Sequence, residues 1–490
     1  MIGARNLVFA AAAAVIAAGC AVGPDYRKPE LSVPAGWVGA DNSIMSSRVE
    51  ELSRWWKCLD DPVLTNLIEQ ALNDGTDMRA ARAKLVEARA RRGLAGAQMF
   101  PTLTASGSGS RSRGSKETGS GTTRTFYSAG FDASWEPDIF GGVRRGIEAA
   151  QADLEGAEAG MYGTQVSLAA EVALNYVEAR SYQERLAIAE KNFASQTETY
   201  DLTKWRNQAE LASSLDVERA RTNLEQTRSR IPALGISLAE AENRLAVLIG
   251  RAPGAVHEML SAEAPVPDVP ETVAVGIPAQ ALANRPDIRV AERRLAAETA
   301  RVGQVMANRY PGFSLSASFG VEALTIGALD SGRALTRGIV GRVFGTLFDG
   351  GRLRRKVDIQ SAVQEQALIA YEASVLVALE EVENALVSLY ENRRQQAALQ
   401  SAVESAHNAA LLARHLYTGG MIDFQVVLDS ERTQFTVEES LATAKAGGAS
   451  SLIRLYKALG GGWQSQDASA AKADENEGEE TDRQTDGGGA

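Results

Sequence analysis

The chain is written twice. Ala71-Leu72, Asp77-Met78, Leu85, Gly93, Ala97 and Phe100-Pro101 recur as Ala281-Leu282, Asp287-Ile288, Leu295, Gly303, Ala307 and Tyr310-Pro311, every pair 210 residues apart. Arg244-Leu245 and Ile249-Gly250 return as Arg454-Leu455 and Leu459-Gly460 at the same offset, while Glu171 and Asn175 match Glu380 and Asn384 at 209, which reads as one residue lost in between. A fixed offset held this far means two copies of one structural unit. The halves run over 62–250 and 278–463. The segment between them, 251–277, carries Pro253, Pro265, Pro267 and Pro270 and has linker composition.

Each half reads as helix, β-hairpin, very long helix, helix. No proline falls between Pro137 and Pro232, and none follows Pro311. An interior proline breaks or kinks a helix, so these stretches can hold long ones. Val143 to Arg206 and Leu353 to Leu416 are helix-permissive throughout, and at 1.5 Å per residue each reaches about 95 Å. Leu368, Tyr371, Val375, Leu379, Val382, Leu386 and Leu389 follow steps of three and four, the spacing of a coiled-coil-like seam. Just before the long helices the period changes to two. Phe313, Leu315, Ala317, Phe319 and Val321 alternate with small or polar residues, as do Tyr127, Ala129, Phe131, Ala133 and Trp135. Strands are expected over 102–111, 126–136, 312–322 and 338–348.

The first twenty residues read as an export signal. Arg5 precedes an apolar run from Leu7 to Ala18 that is too short to span a bilayer comfortably, and Gly19-Cys20 follows. Residues 1–19 are the expected signal peptide. Cys20 after Ala17-Ala18-Gly19 is like a bacterial lipobox, in which that cysteine is acylated and becomes the mature N-terminus; acyl chains contribute about 0.8 kcal/mol per buried CH2. Ala21 rather than Asp after the cysteine points to outer-membrane delivery. Residues 20–61 form the lipidated N-terminal segment. No run of twenty apolar residues occurs after Cys20, which excludes a helical membrane protein.

Strands of about ten residues, apolar on one face and small-polar on the other, suit a transmembrane barrel. Bilayer hydrocarbon tolerates no open sheet edge. Four strands close nothing, so several copies must share one barrel: two would give eight strands with a filled interior, three would give twelve with room for a pore.

These features, taken in order, resemble the TolC-like outer membrane efflux family and its NodT-type lipoprotein branch. The residues carrying the resemblance are Cys20 to Pro29, Trp55-Trp56 with Asp61-Pro62, Arg285-Pro286-Asp287-Ile288, Leu347 to Arg352, Glu381 to Leu386 and Leu455 to Trp463. The resemblance implies a mainly α fold with a transmembrane β-barrel, a homotrimer whose twelve strands close the barrel and whose long helices form a periplasmic α-barrel. It implies a passive conduit for small molecules in a tripartite efflux pump, with a periplasmic adaptor (membrane fusion) protein, an inner-membrane RND-type pump and outer-membrane lipid as partners. A type I protein-secretion conduit of the same fold and a periplasmic coiled-coil scaffold lipoprotein are the alternatives.

Individual residues acquire roles within this reading. Pro101 and Pro311 stop incoming helices where strands begin. Gly141-Gly142 and Gly350-Gly351 allow the tight turn from strand back to helix. Trp135 and Tyr310 are either interfacial aromatics or core aromatics. The family's helix tips, where the adaptor docks, resemble Arg-Tyr-x-x-Gly-x-x-Ser/Asp. Arg206 and Ser213 fit that pattern in the first half, where Asn207 and Glu210 depart from it. Tyr417, Gly420 and Asp423 fit in the second half, where Leu416 departs. Symmetry would repeat Asp429, or alternatively Asp423, as a carboxylate ring in a narrow mouth, which favours cations.

Other chemistries find little support. Net charge is −11, of which residues 464–490 hold eight acids against two bases; that tail reads as disordered. The remainder is mildly acidic, which argues against nucleic acid as a partner. Two cysteines and three scattered histidines cannot build a zinc cluster or a disulfide framework, so neither metal nor cofactor is expected. His257-Glu258 lacks the second histidine of a zinc-protease helix, Gly109 to Lys116 lacks the G-K-[ST] of a phosphate loop, and no G-x-S-x-G elbow occurs. Cys58 reads as a buried lone thiol.

Overall fold

The computed structural model describes residues 21–38, 45–46, 52–270, 273–274 and 278–463. The signal peptide, Cys20 and the acidic tail lie outside them. The principal elements are α1 (Pro62–Asp74), α2 (Thr76–Ala97), β1 (Thr102–Arg113), β2 (Thr123–Trp135), α3 (Gly142–Gln208), α4 (Ser214–Leu248), α5 (Pro286–Ala307), β3 (Gly312–Ala323), β4 (Leu335–Phe344), α6 (Arg352–Thr418) and α7 (Phe424–Ala458). The duplication is visible in the boundaries: α2 and α5, α3 and α6, and α4 and α7 start and end 210 residues apart. Both α3 and α6 contain 67 residues, about 100 Å of helix. Equal lengths leave no room for the residue inferred to be missing, so at the structural offset Glu171 corresponds to Glu381 rather than Glu380.

The halves do not form separate domains. Among the described residues, one compact unit takes 84–158 and 290–372 with 21–30, and the other draws on 31–83, 159–289 and 373–463. Each therefore draws on both repeats. In the first unit the cause is the sheet, whose order β1-β2-β3-β4 is antiparallel throughout and joins the halves where β2 pairs with β3. β4 lies earlier than expected: its ladder ends at Phe344 opposite Gly312, so 345–348 have no partner strand, while Leu335 to Arg337 pair with Val321 to Phe319. Leu347 and Phe348 are left fully exposed beyond it.

The strand-to-helix turns depend on local chemistry. Gly141 sits at φ +80°, and Gly350 and Gly351 at +65° and +88°. Gly142 is not part of the turn; it is the first residue of α3, where an added Cβ would come 3.1 Å from Ala307 Cβ. Carboxylates cap both long helices: Asp138 accepts from the Val143 and Arg144 amides, and Asp349 from those of Gly351 and Leu353. Pro101 and Pro311 each stand immediately before a strand, after the end of α2 or α5.

In the same unit the segment from Val22 to Lys28 is seated against these turns. Val22 N donates to Phe140 O at 3.1 Å. The buried Arg145 guanidinium reaches Val22 O, Gly23 O and Asp25, while Tyr26 and Lys28 converge on Glu292. Desolvation by burial is the largest influence on the Glu292 carboxyl and would raise it, but Arg293 and Lys28 together hold it below its ordinary range.

The second unit has the larger core. Leu64, Leu67, Ile68, Tyr176, Leu245, Leu389, Leu452 and Tyr456 are fully buried there, and Trp55 stacks on Tyr456 with centroids 5.5 Å apart. Val375, Val382, Leu386 and Leu389 of the expected seam face inward. Buried arginines fasten the chain's connections. Arg180, 2% exposed, donates to Tyr176 Oη, Gln183 and the carbonyls of Leu260 and Ala262. Arg285 pairs with Asp287 and Glu381 and caps α7 through Ala458 O at 2.8 Å, so the Arg-Pro-Asp sequence ties the start of α5 to the end of α7. Cys58 is half-buried, its thiol 3.7 Å from Tyr456 Oη.

Gly23, at φ +105°, lies so close to Gly303 that a Cβ would overlap the Gly303 Cα. Gly23→Ala is expected to cost about 1–3 kcal/mol in local backbone strain. The measurement is limited trypsinolysis: the Arg27–Lys28 bond should be cleaved faster than in the wild type, and equal rates would show that the seat does not hold the segment.

Candidate functional site

Two regions have the geometry of a working surface. The first is the sheet. Register places Leu103, Phe131, Phe319 and Ile339 on one face and Thr104, Asp132, Ser316 and Ser318 on the other. Leu103 is 71% and Ile339 79% exposed in the single chain, an apolar surface of the kind that lipid covers. The small-polar face bonds to itself, with Ser108 Oγ 2.8 Å from Ser128 Oγ and Ser106 Oγ donating to Asp132. Trp135 and Tyr310 are partly exposed beside the strand ends. The Trp135 indole donates to Met99 O at 3.0 Å, and Tyr310 stacks on Phe140 at 4.8 Å, which favours the interfacial over the core reading. Among the described residues, β1 pairs only with β2 and β4 only with β3, so both outer edges are open.

The second region is the pair of hairpin tips, α3–α4 and α6–α7. They share one turn geometry. Leu211 N donates to Arg206 O, and Met421 N to Leu416 O, each closing its helix at 2.8–2.9 Å. The residue before each is left-handed: Gly420 at φ +71° and Glu210 at +62°. Glu210 thus takes the glycine conformation without being glycine. Ser213 and Asp216 form a reciprocal capping box on α4, whereas Asp423 caps α7 without a side-chain bond.

The tip residues picked out from sequence do different work from one another. Arg206 lies over the Tyr417 ring, 4.6 Å from its centroid, and donates to the carbonyls of Tyr417 and Thr418 at 3.1 Å each. It caps α6 and fastens one hairpin to the other. Tyr417 is only 6% exposed, packed on Phe424. Leu211 and Met421 do project, 68% and 67% exposed. Sequence reasoning passed over them, although each follows its left-handed residue at the repeat offset. Asp423 and Asp429 are both exposed near the start of α7, and Asp429 accepts from Gln425 at 2.9 Å.

Behind the tips, polar bonds cross between the hairpins. Glu431, on α7, is buried; its Oε1 accepts from Thr199 at 2.6 Å and from Arg414 Nε at 3.0 Å, and Arg414 also reaches Ser195. Burial pushes the Glu431 carboxyl above its usual range despite the opposing pull of Thr199 and Arg414. Among the described residues, no cluster of three or more His, Cys, Asp or Glu side chains is placed to hold a metal, and no helix is long and apolar enough to cross a membrane.

The outer membrane efflux protein family model matches the chain twice, over residues 67–251 and 277–461, again 210 residues apart. The chain belongs to the outer membrane efflux protein family. Nodulation protein T of Rhizobium leguminosarum bv. trifolii is 32% identical over 462 residues, covering 92% of this chain and 96% of that protein. The probable efflux pump outer membrane protein TtgC of Pseudomonas putida is 31% identical over 474 residues, covering 95% and 97%. Among solved structures, the outer-membrane channel OprN superposes with a TM-score of 0.85 at 35% identity, over 91% of this chain and all of that one. The MtrE outer membrane channel of Neisseria gonorrhoeae gives 0.81 at 28% identity over 91% and 99%. The fold is that of an outer-membrane efflux channel.

Because the folded carboxyl of Glu431 sits above its unfolded value, about 4.3, the native state holds that proton more tightly, and this site loses stability as pH rises through the interval between the two. Glu431→Gln removes the titration while keeping an acceptor for Thr199 and Arg414. Thermal melts from about pH 4 to about pH 8 should show the variant gaining on the wild type as pH rises. A gap moving the other way would mean that the Arg414 ion pair outweighs burial.

Proposed function

We propose that three copies of this chain form one outer-membrane conduit, the outermost part of a tripartite efflux pump. The observation that carries this reading is the four-stranded sheet with an apolar outer face and two open edges. In hydrocarbon those edge N–H and C=O groups must be bonded, and the available partners are the edges of further copies. Pairing β4 of one copy with β1 of the next closes a ring, and twelve strands enclose a lumen where eight would be filled by side chains. The small-polar face, with Asp132, lines water.

The long helices then extend into the periplasm, and their tips receive the adaptor protein that couples the conduit to an inner-membrane RND-type pump. Leu211 and Met421 offer apolar knobs for that contact, Gly420 and Ser213 shape the turns, and Arg206 with Tyr417 holds the two hairpins at fixed spacing. Acylated Cys20 is the membrane anchor. It immediately precedes Ala21 in the chain. Asp429, with Asp423 nearer the turn, supplies the carboxylate ring that narrows the periplasmic mouth. The cargo is small molecules. The chain is also similar to a toluene efflux pump outer membrane protein and to a cation efflux system protein, which fits a conduit whose selectivity is set largely by the pump behind it.

Two measurements test this reading. The mature protein purified in detergent should migrate as a trimer and form ion-conducting pores in planar bilayers; a detergent-free soluble monomer would end the proposal in favour of a scaffold lipoprotein. Asp429→Ala should raise single-channel conductance and weaken cation preference, and unchanged values of both would remove Asp429 from the constriction.

A further inference from the structure

Side chains alternate between the two faces of a strand, so register fixes which of them share the apolar face of the sheet. On β1 that face runs from Leu103 through Gly107 and Gly109 to Arg111 and Arg113, and on β4 from Arg337 through Ile339 and Gly341 to Val343. The corresponding positions of β2 and β3, taken alternately from Thr123 to Trp135 and from Phe313 to Ala323, carry no charge. Arg111, Arg113 and Arg337 are therefore the charged residues of this face. All three are exposed, lie on the two edge strands and stand near the hairpin loops, away from the long helices. The acids are elsewhere: Asp132 and Glu322 point to the small-polar side, and Glu117 and Asp330 sit in the loops. Arg113 donates to Gly121 O at 3.3 Å, and none of the three arginines has an acidic partner among the described residues.

The repeat brings these arginines together. Thr102 faces Ser134 in the first hairpin and Gly312 faces Phe344 in the second, a shift of 210 in both partners. Where the hairpins meet, Tyr127 lies opposite Ala323, Ala129 opposite Val321 and Phe131 opposite Phe319. Closing a ring in the same register adds 210 to one partner and subtracts it from the other. Arg337 of one copy then faces Arg113 of the next, Ile339 faces Arg111, and Gly341 faces Gly109. The rungs that are apolar within the chain carry three cations between copies, above a rung with no side chains.

Like charges facing one another on neighbouring strands repel, and an arginine on the lipid side of a barrel is tolerated only near the interface. From Leu103 to Arg113 is about 33 Å of strand, which at barrel tilt gives an apolar band on the order of 25 Å high, so the arginines reach the outer limit of the hydrocarbon. There they meet lipid headgroups. A phosphate answers several guanidinium groups at once and binds each through paired N–H bonds. The surface beside them is hollowed. Gly109 and Gly341 leave a gap bordered by the Tyr127 ring, and an apolar groove of about 560 Å³ lies between Phe131, Phe319, Ile339 and Arg337, which suits an acyl chain next to its own phosphate. We infer that each joint between copies holds the phosphate of an outer-leaflet lipid between Arg337 of one copy and Arg111 and Arg113 of the next, so that the lipid bridges the copies. This rests on the ring proposed above and adds what neutralises its joints.

The test uses the mature protein in detergent, stripped of bound lipid, with bis-phosphorylated lipid A as the probe. Native mass spectrometry should show three lipid A molecules per trimer, and lipid A should raise the trimer's melting temperature. Lipid A without its phosphates, or inorganic phosphate alone, should do neither; an equal effect of either one would overturn the inference. Arg111→Gln, Arg113→Gln and Arg337→Gln combined should weaken lipid A binding on the order of a hundredfold, while Arg342→Gln on the small-polar face of β4 should not. Unweakened binding by the triple variant would overturn the site. Because that variant also loses the repulsion, its lipid-free trimer should melt no lower than the wild type; a lower melt would show that the arginines serve the protein's own packing and would count against the lipid. In a Cys58→Ser background, Gly109→Cys with Gly341→Cys should link separate chains on a non-reducing gel. Trimers that fail to link would overturn the register, and with it this site, while leaving the ring; absence of trimers would overturn the ring itself.

Discussion

Backbone amide and carbonyl groups have no neutral resting place in hydrocarbon, and that requirement governs this molecule. A helix satisfies them internally, but no helix among the described residues is long and apolar enough to cross a bilayer. The segment with a lipid-suited exterior is instead a four-stranded sheet, which satisfies its groups in the middle and leaves two rows unmet at its edges. The single chain is in this sense an unfinished object. Its apolar face and its open edges both anticipate a further copy.

Duplication supplies the geometry for that completion. The two long helices have identical lengths, and the two tips share one turn geometry even though Glu210 stands where the other half has Gly420. A ring built from near-equivalent halves needs this agreement to stay regular. The side chains between the hairpins have drifted apart, so that Arg206 caps a neighbouring helix while Leu416 cannot.

Much of this was legible in the residues themselves. Period-two alternation marked β2 and β3 because their neighbouring faces meet different solvents, and the absence of proline marked α3 and α6. β4 was placed too late, since Leu335 to Arg337 do not alternate cleanly and the end of its ladder is decided by where β3 stops. Gly141-Gly142 looked like one turn, yet only Gly141 needs the left-handed conformation. Tyr417 fitted a docking motif, but its ring is buried beneath Arg206, while the projecting Leu211 and Met421 carried no signal beyond their place in the repeat.

By itself, then, the amino-acid order determined the duplication, the element types and the need for more than one copy, because periodicity, proline placement and strand count are local or countable properties. Only the tertiary structure decided that the compact units cut across the repeats, that Arg285 caps the end of α7, and that Glu431 lies buried between Thr199 and Arg414. Those facts depend on which helix faces come together across more than a hundred residues of chain, and a linear pattern of side chains does not record that pairing.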